Sequence, residues 1–294
     1  MAEANPTVRQ RELGARLRLL RRGQRLTVED VAGKLLCSTT KISRIETAAR
    51  RASQRDVRDL CQIYGVNDQE TAELMSLARQ AREPGWWTQY DDLKLTPFIG
   101  MEQEAVAITS FAMYFVPPLM QTENYARAII RGIDRKIDPN VLNQRVEARL
   151  RRQKLLTSDK PPRYRALLDE AVLHREVGGK AVLLEQLDSI LELSGEARVT
   201  VQVIPFNVGA HGSTDSNFDL LEFDGSLLPS LVFVEGLVSH LYLERPDEIK
   251  RYREALEYLR DEALTPRESL AFVAHIRRKR EKNEDVPATT VSDA

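Results

Sequence analysis

Cysteine is nearly absent: Cys37 and Cys61 are the two in 294 residues. Both sit among apolar neighbours, so they read as small core side chains in a reducing compartment, not as a disulfide framework. No CxxC or Cys/His spacing suits a metal ion, and neither metal nor cofactor is expected. No run approaches about 18 consecutive apolar residues, which predicts no membrane span. The N-terminus lacks the apolar stretch of a secretion signal. Together these absences predict a cytoplasmic protein. Internal repeats are missing too.

Enzyme signatures are equally scarce. There is no GxSxG elbow. "VGGK" at 177–180 lacks the GxxxxGK[ST] spacing of a phosphate loop. "HGSTDS" clusters His211, Ser213 and Asp215, but a catalytic triad is assembled in space and adjacent residues rarely form one. The expectation is that the chain is not an enzyme.

What is present is an uneven charge distribution. The net charge is −1, yet residues 1–82 hold 16 basic and 10 acidic side chains, against 27 and 34 in the remainder. A basic front on an acidic body suggests that one end meets a polyanion. The first stretch reads as helices with short joints. Pro84-Gly85 then signals a turn, followed by Trp86 and Trp87, which are expected to cap a second core. This divides the chain into a helical domain at 1–82, an α+β domain at 83–277, and a disordered charged and Pro/Thr/Ser-rich tail at 278–294. In the second domain "YRALLDEAVL", "RVTVQVIPF", "FDLLEF" and "SLVFVEG" read as strands. "ENYARAIIRGI", "PNVLNQRVEARLRRQKLL", "KAVLLEQLDSILELSG" and "PDEIKRYREALEYLRDEAL" read as helices. The close pair 217–223 and 231–235 predicts a mainly antiparallel sheet.

In the first domain, Leu13, Leu17 and Leu20 give a helix from about residue 7 to 22. Thr27 and Asp30 form a weak capping box for the next helix, and Ser38 caps the one after. At about 100° per residue, Ile42 and Ile45 share one side of that third helix. Thr40, Ser43, Arg44 and Thr47 share the opposite side, with Lys41 at the flank. Polar helix faces are ordinarily just solvated. This one combines hydroxyls with a guanidinium, follows a helix N-terminus that favours phosphate, and is flanked by Arg16, Arg18, Arg21, Arg22 and Arg25 before it and Arg50, Arg51 and Arg55 after it. Such a face suits a DNA major groove.

Residues 28–46, "VEDVAGKLLCSTTKISRIE", resemble the helix-turn-helix of lambda-repressor-like, xenobiotic-response-element-family regulators. The resemblance rests on Ala32 at the close helix contact, Ser38 at the cap, Ile42 and Ile45 in the core, and Ser43-Arg44-Ile45-Glu46 at the end of the recognition helix. It implies an all-α five-helix domain. It also puts Thr39, Thr40 and Arg44 at base-reading positions and pairs Glu46 with Arg21 as a structural ion pair. Lys41, Arg50 and Arg51 would meet phosphate, with Ser43 on the same face. Two departures stand out. Val28 replaces a phosphate-binding glutamine. Leu36 replaces a turn glycine and would be uncomfortable at positive φ, which predicts a turn of different shape.

From Trp86 to about Ile276 the chain resembles the antitoxin-like C-terminal domain of many actinobacterial regulators. The carrying stretches include "WWTQY", "VPPLMQTENYARAII", "RVEARLRRQKLL", "LDEAVLHREVGG" and "VTVQVIPFNVGAHG". The resemblance implies a regulator controlled through this domain that works with a small partner protein, and it implies no settled ligand; a small-molecule effector bound in the same domain is the alternative. The expected partners are therefore double-stranded DNA, a second copy of the chain in a homodimer, and one of those two effectors. Glu170, His211, Glu235 and Tyr242 are candidate lining residues of a ligand pocket near the strand ends.

Overall fold

The computed structural model describes residues 8–90, 96–210, 216–224, 228–236 and 239–282. Its contacts divide the chain into two units. One comprises 1–105 with 223–229, the other 106–222 with 230–294.

The first unit opens with α1 (Val8–Gly23), α2 (Val28–Lys34), α3 (Thr39–Glu46), α4 (Gln54–Tyr64) and α5 (Asp68–Gln80). Short-range chemistry sets these boundaries. The Thr27 hydroxyl accepts from the Asp30 N–H, and the Asp30 carboxylate accepts from the Thr27 N–H, a complete capping box. Ser38 caps α3 by accepting from the Lys41 N–H, and Ser53 with Asp56 repeats the box at α4. The helices close on a shared core of Leu13, Leu17, Val31, Ile42, Ile45, Val57, Leu60 and Leu74. Each such buried aliphatic side chain contributes about 1.5–3 kcal/mol.

Two features, a glycine and a side-chain hydrogen bond, let α1 and α3 meet. Gly14 is buried where a Cβ would lie 2.7 Å from the Ile45 carbonyl oxygen and 2.8 Å from that of Glu46. The Gln10 amide donates to the Ala48 carbonyl at 2.5 Å, tying α1 to the residue after the α3 C-cap.

A 3-10 turn at Trp86–Gln89 and α6 (Thr96–Glu104) also belong to this unit. Trp86 and Trp87 meet edge-on, Gly100 approaches the Trp87 ring, and Arg9 pairs with Glu104 at 2.9 Å. The tryptophans therefore cap the first unit and not the second core, and the contact division falls at 105/106, later than the expected 82/83.

The second unit is α+β. Its elements are β1 (Ala107–Ala112), α7 (Glu123–Ile133), α8 (Pro139–Gln153), β2 (Arg163–Asp169), α9 (Ala171–His174), α10 (Lys180–Leu193), β3 (Val199–Ile204), β4 (Phe218–Glu222), β5 (Leu231–Glu235), β6 (His240–Leu243), α11 (Pro246–Glu262) and α12 (Pro266–Glu281). Among the described residues the sheet order is β3-β2-β1-β4-β5-β6. The β1–β2 and β2–β3 pairings are parallel and the other three antiparallel, so the sheet is mixed and mostly antiparallel.

Two expectations needed correction, and one strand was unforeseen. The strand expected through 164–173 ends at Asp169, whose carboxylate accepts from the Ala171 N–H at 2.8 Å and turns the chain into α9. The central strand β1 was not anticipated, because it is buried along most of its length and shows no alternation. Residues 278–281, assigned to a disordered tail, continue α12. That helix starts on a Thr265/Glu268 capping box and buries Val273 and Ile276. Arg277 and Arg280 then pair with Asp188 at 2.8 Å and Glu176 at 3.1 Å. Residues 283–294 lie outside the described residues.

Candidate nucleic-acid interface

α3 buries Ile42 and Ile45, and its other side is open. Thr39, Thr40, Ser43, Arg44 and Thr47 are all exposed. The Thr47 hydroxyl donates to the Ser43 carbonyl at 2.8 Å, so its donor is used within the helix. Beyond α3 the chain bends at Ala48 (φ 59°), and the Arg50 N–H donates to the Arg44 carbonyl at 2.8 Å. This bend carries Arg50 and Arg51, both exposed, to the end of the α3 face. On the α1 side Arg18, Arg22 and Arg25 are exposed as well.

Lys41 sits differently. Its ammonium lies 2.6 Å from Asp56 and is half-buried, which staples the first turn of α3 to the capping box of α4. Burial pushes the Asp56 carboxyl up, but hydrogen bonds from Lys41 and Ser53 outweigh it and leave the pKa below the ordinary value. Of the residues expected at phosphate, Lys41 is thus already engaged with a carboxylate.

Arg21 and Glu46 form a two-pronged pair: Nε to Oε1 at 2.7 Å and an Nη to Oε2 at 2.9 Å. The remaining Nη donates to the Leu26 carbonyl at 2.7 Å. The side chains are only 11% and 5% exposed. The pair joins the end of α1 to the end of α3 and so fixes the tilt of the exposed face. The turn between α2 and α3 adopts the left-handed conformation that glycine favours, with Leu36 itself at φ 50°. The expectation of a differently shaped turn is therefore wrong. Leu36 is 95% exposed, so its side chain avoids the core at the expense of backbone strain.

In the second unit the described candidate lining residues stand at different strands of the sheet. Glu170 follows the C-terminal end of β2, its carboxylate accepting from the Phe206 N–H at 2.8 Å and meeting His174 Nε2 at 3.0 Å. Glu235 is exposed at the end of β5, opposite His240, and the Tyr242 ring lies on the edge strand against Phe233. With β1 and β4 between β2 and β5, Glu170 and Glu235 are separated by three strand spacings, about 14 Å. His211 lies outside the described residues. A cavity of about 390 Å³ opens instead at the other end of the sheet, beside Arg163, Arg165 and Arg198. Sequence reading missed these residues. The available signal was the R-x-R at the start of β2, since residues two apart in a strand share a face. No His/Cys/Asp/Glu group that could hold a metal ion is present among the described residues. None of their helices is long and apolar enough to cross a membrane.

These features define a helix-turn-helix protein with an appended α+β unit. Residues 12–74 match a helix-turn-helix domain, which points to a DNA-binding regulator. Residues 95–275, more than half of the chain, match a domain of unknown function (DUF5753), and the chain belongs to that family. No curated protein and no solved structure matches the chain.

Proposed function

We propose that the protein is a sequence-specific DNA-binding transcriptional regulator of the cytoplasm, which inserts α3 into the major groove. The observation that carries this reading is the open face of α3, hydroxyls and a guanidinium together, on a helix anchored inward by Ile42 and Ile45. Arg44 reads a base edge, with Thr39, Thr40 and Ser43 beside it, and Arg50 and Arg51 hold phosphate. Lys41 serves the interface mainly by orienting α3 through Asp56. Arg21 and Glu46 hold the face without touching DNA. One such helix covers a half-site, so the functional form is a homodimer on two half-sites about one helical turn apart. The second unit supplies the control.

A base-resolved binding profile tests this. Arg44→Ala should cost about 1–3 kcal/mol and relax preference at one position per half-site. Arg50→Ala should weaken all sequences alike and reduce the salt slope by about one. A profile unchanged by Arg44→Ala refutes the base-reading role.

A further inference from the structure

On one face of the sheet, Thr109, Arg165 and Thr200 stand side by side on β1, β2 and β3. Arg163 lies two residues before Arg165 on the same face. Arg198 directly precedes β3, its carbonyl accepting from the Tyr164 N–H at 2.8 Å. All line the 390 Å³ cavity, together with Glu222. That carboxylate is already paired at 2.8 Å with Arg253. Arg260 of α11 is close enough to act on Arg165 electrostatically.

The arginines lack the partners such a cluster needs. Arg165 Nε is buried with no hydrogen-bond partner among the described residues. Arg198 donates to the Pro161 carbonyl at 3.2 Å, which offsets no charge. Among the described residues none of Arg163, Arg165, Arg198 and Arg260 pairs with a carboxylate. Burial first, then the charges of Arg260 and Arg163, lower the Arg165 pKa. Elsewhere the same fold compensates its arginines with care, as at Arg277 and Arg280. Like charges around a half-buried guanidinium oppose folding, and an unmade hydrogen bond on a buried donor adds to that cost.

We infer that this cavity is a binding site for a phosphate-bearing small molecule, with Arg165, Arg163 and Arg198 gripping the phosphoryl group and Thr109 and Thr200 completing its hydrogen bonds. Guanidinium forks match phosphate oxygens in pairs, and several positive charges are offset better by a phosphoryl group than by one carboxylate. The volume is in the range of small-molecule sites and leaves room for an organic body beyond the phosphate. A duplex backbone is a poor fit, because the unpartnered Nε is itself buried. This site stands on its own observations and does not depend on the DNA-binding reading.

The test is calorimetry and thermal unfolding of the full chain with inorganic pyrophosphate, against sodium chloride at matched ionic strength. Pyrophosphate at a hundredfold excess over its Kd should raise Tm by at least about 5 °C beyond the salt control. Arg165→Met should abolish that rise while its ligand-free Tm is no lower than that of the unaltered protein. Arg163→Gln, an exposed change that spares the fold, should weaken binding about tenfold or more, and Arg135→Gln, outside the cavity, should leave it unchanged. The assignment is overturned by the absence of saturable binding. It is equally overturned by one Kd shared by the unaltered protein, Arg165→Met and Arg163→Gln, or by displacement of pyrophosphate by short random duplex DNA in the Arg44→Ala, Arg50→Ala protein.

Discussion

Arg21 and Arg165 are two poorly exposed arginines in opposite circumstances. In the first unit Arg21 is clamped by both oxygens of Glu46 and by the Leu26 carbonyl. Its hydrogen bond with Glu46 raises its pKa against the opposing effect of burial. In the second unit Arg165 has a buried Nε without a partner and two further arginines acting on it, and its pKa falls. The contrast separates structure from recognition. A guanidinium satisfied from within holds two helices in place, whereas one left unsatisfied beside a cavity is organised for something the chain does not supply.

The largest expected effect tests that contrast by sign. Arg21→Met should strand the Glu46 carboxylate in the core and cost about 3–5 kcal/mol in denaturant unfolding. The same substitution at Arg165 should cost nothing or stabilise, because it removes a charge without orphaning a partner. Comparable losses at both positions would dissolve the distinction. Next comes the close approach that accompanies the Arg21 pair. Gly14→Ala places a methyl group against two carbonyl oxygens of α3, and a loss of about 1–3 kcal/mol is expected by thermal denaturation.

Smaller again is Leu36→Gly. It relieves left-handed strain at a side chain with almost nothing to lose, offset by the greater freedom of glycine in the unfolded chain, so stability should rise by up to about 1 kcal/mol. The smallest effect is a pH dependence at Asp56. Its folded pKa is depressed, so the stability it contributes is present above its unfolded value near 3.8 and is lost as pH falls through the folded value. Asp56→Asn should therefore flatten the stability curve below about pH 4. At higher pH it should cost no more than about 1 kcal/mol, because the pair is partly exposed. Unfolding curves for the two proteins that stay parallel from pH 2 to pH 6 would contradict this.

How much could be read in advance differed between the units for the same reason. The first unit is built from local signals. Thr27 with Asp30, Ser38, and Ile42 with Ile45 act within one helix turn, so the helix-turn-helix was legible. Leu36 was misjudged because a left-handed leucine is tolerable when its side chain points into solvent, and exposure is not written in a single residue. The second unit depends on distant neighbours. β1 was obscure because burial on both faces erased its alternation, whereas β4 and β5 stood out as a close pair. The spacing between Glu170 at the end of β2 and Glu235 and Tyr242 on β5 and β6 was not legible, because strand order, not strand identity, decides which ends are adjacent. The arginine cluster was half visible as Arg163 and Arg165 in one strand. Arg198 and Arg260 join it only through the β2–β3 pairing and the path of α11.

DNA reading by the open face of α3, proposed above, underlies the regulatory role. Selection of duplexes from a random pool by the purified full chain tests it most directly. Enrichment of one inverted repeat with half-sites centred about 10–10.5 base pairs apart is expected, with loss of preference at one position per half-site in Arg44→Ala. A pool that remains random for the unaltered protein, or the same motif recovered in full by Arg44→Ala, would contradict it.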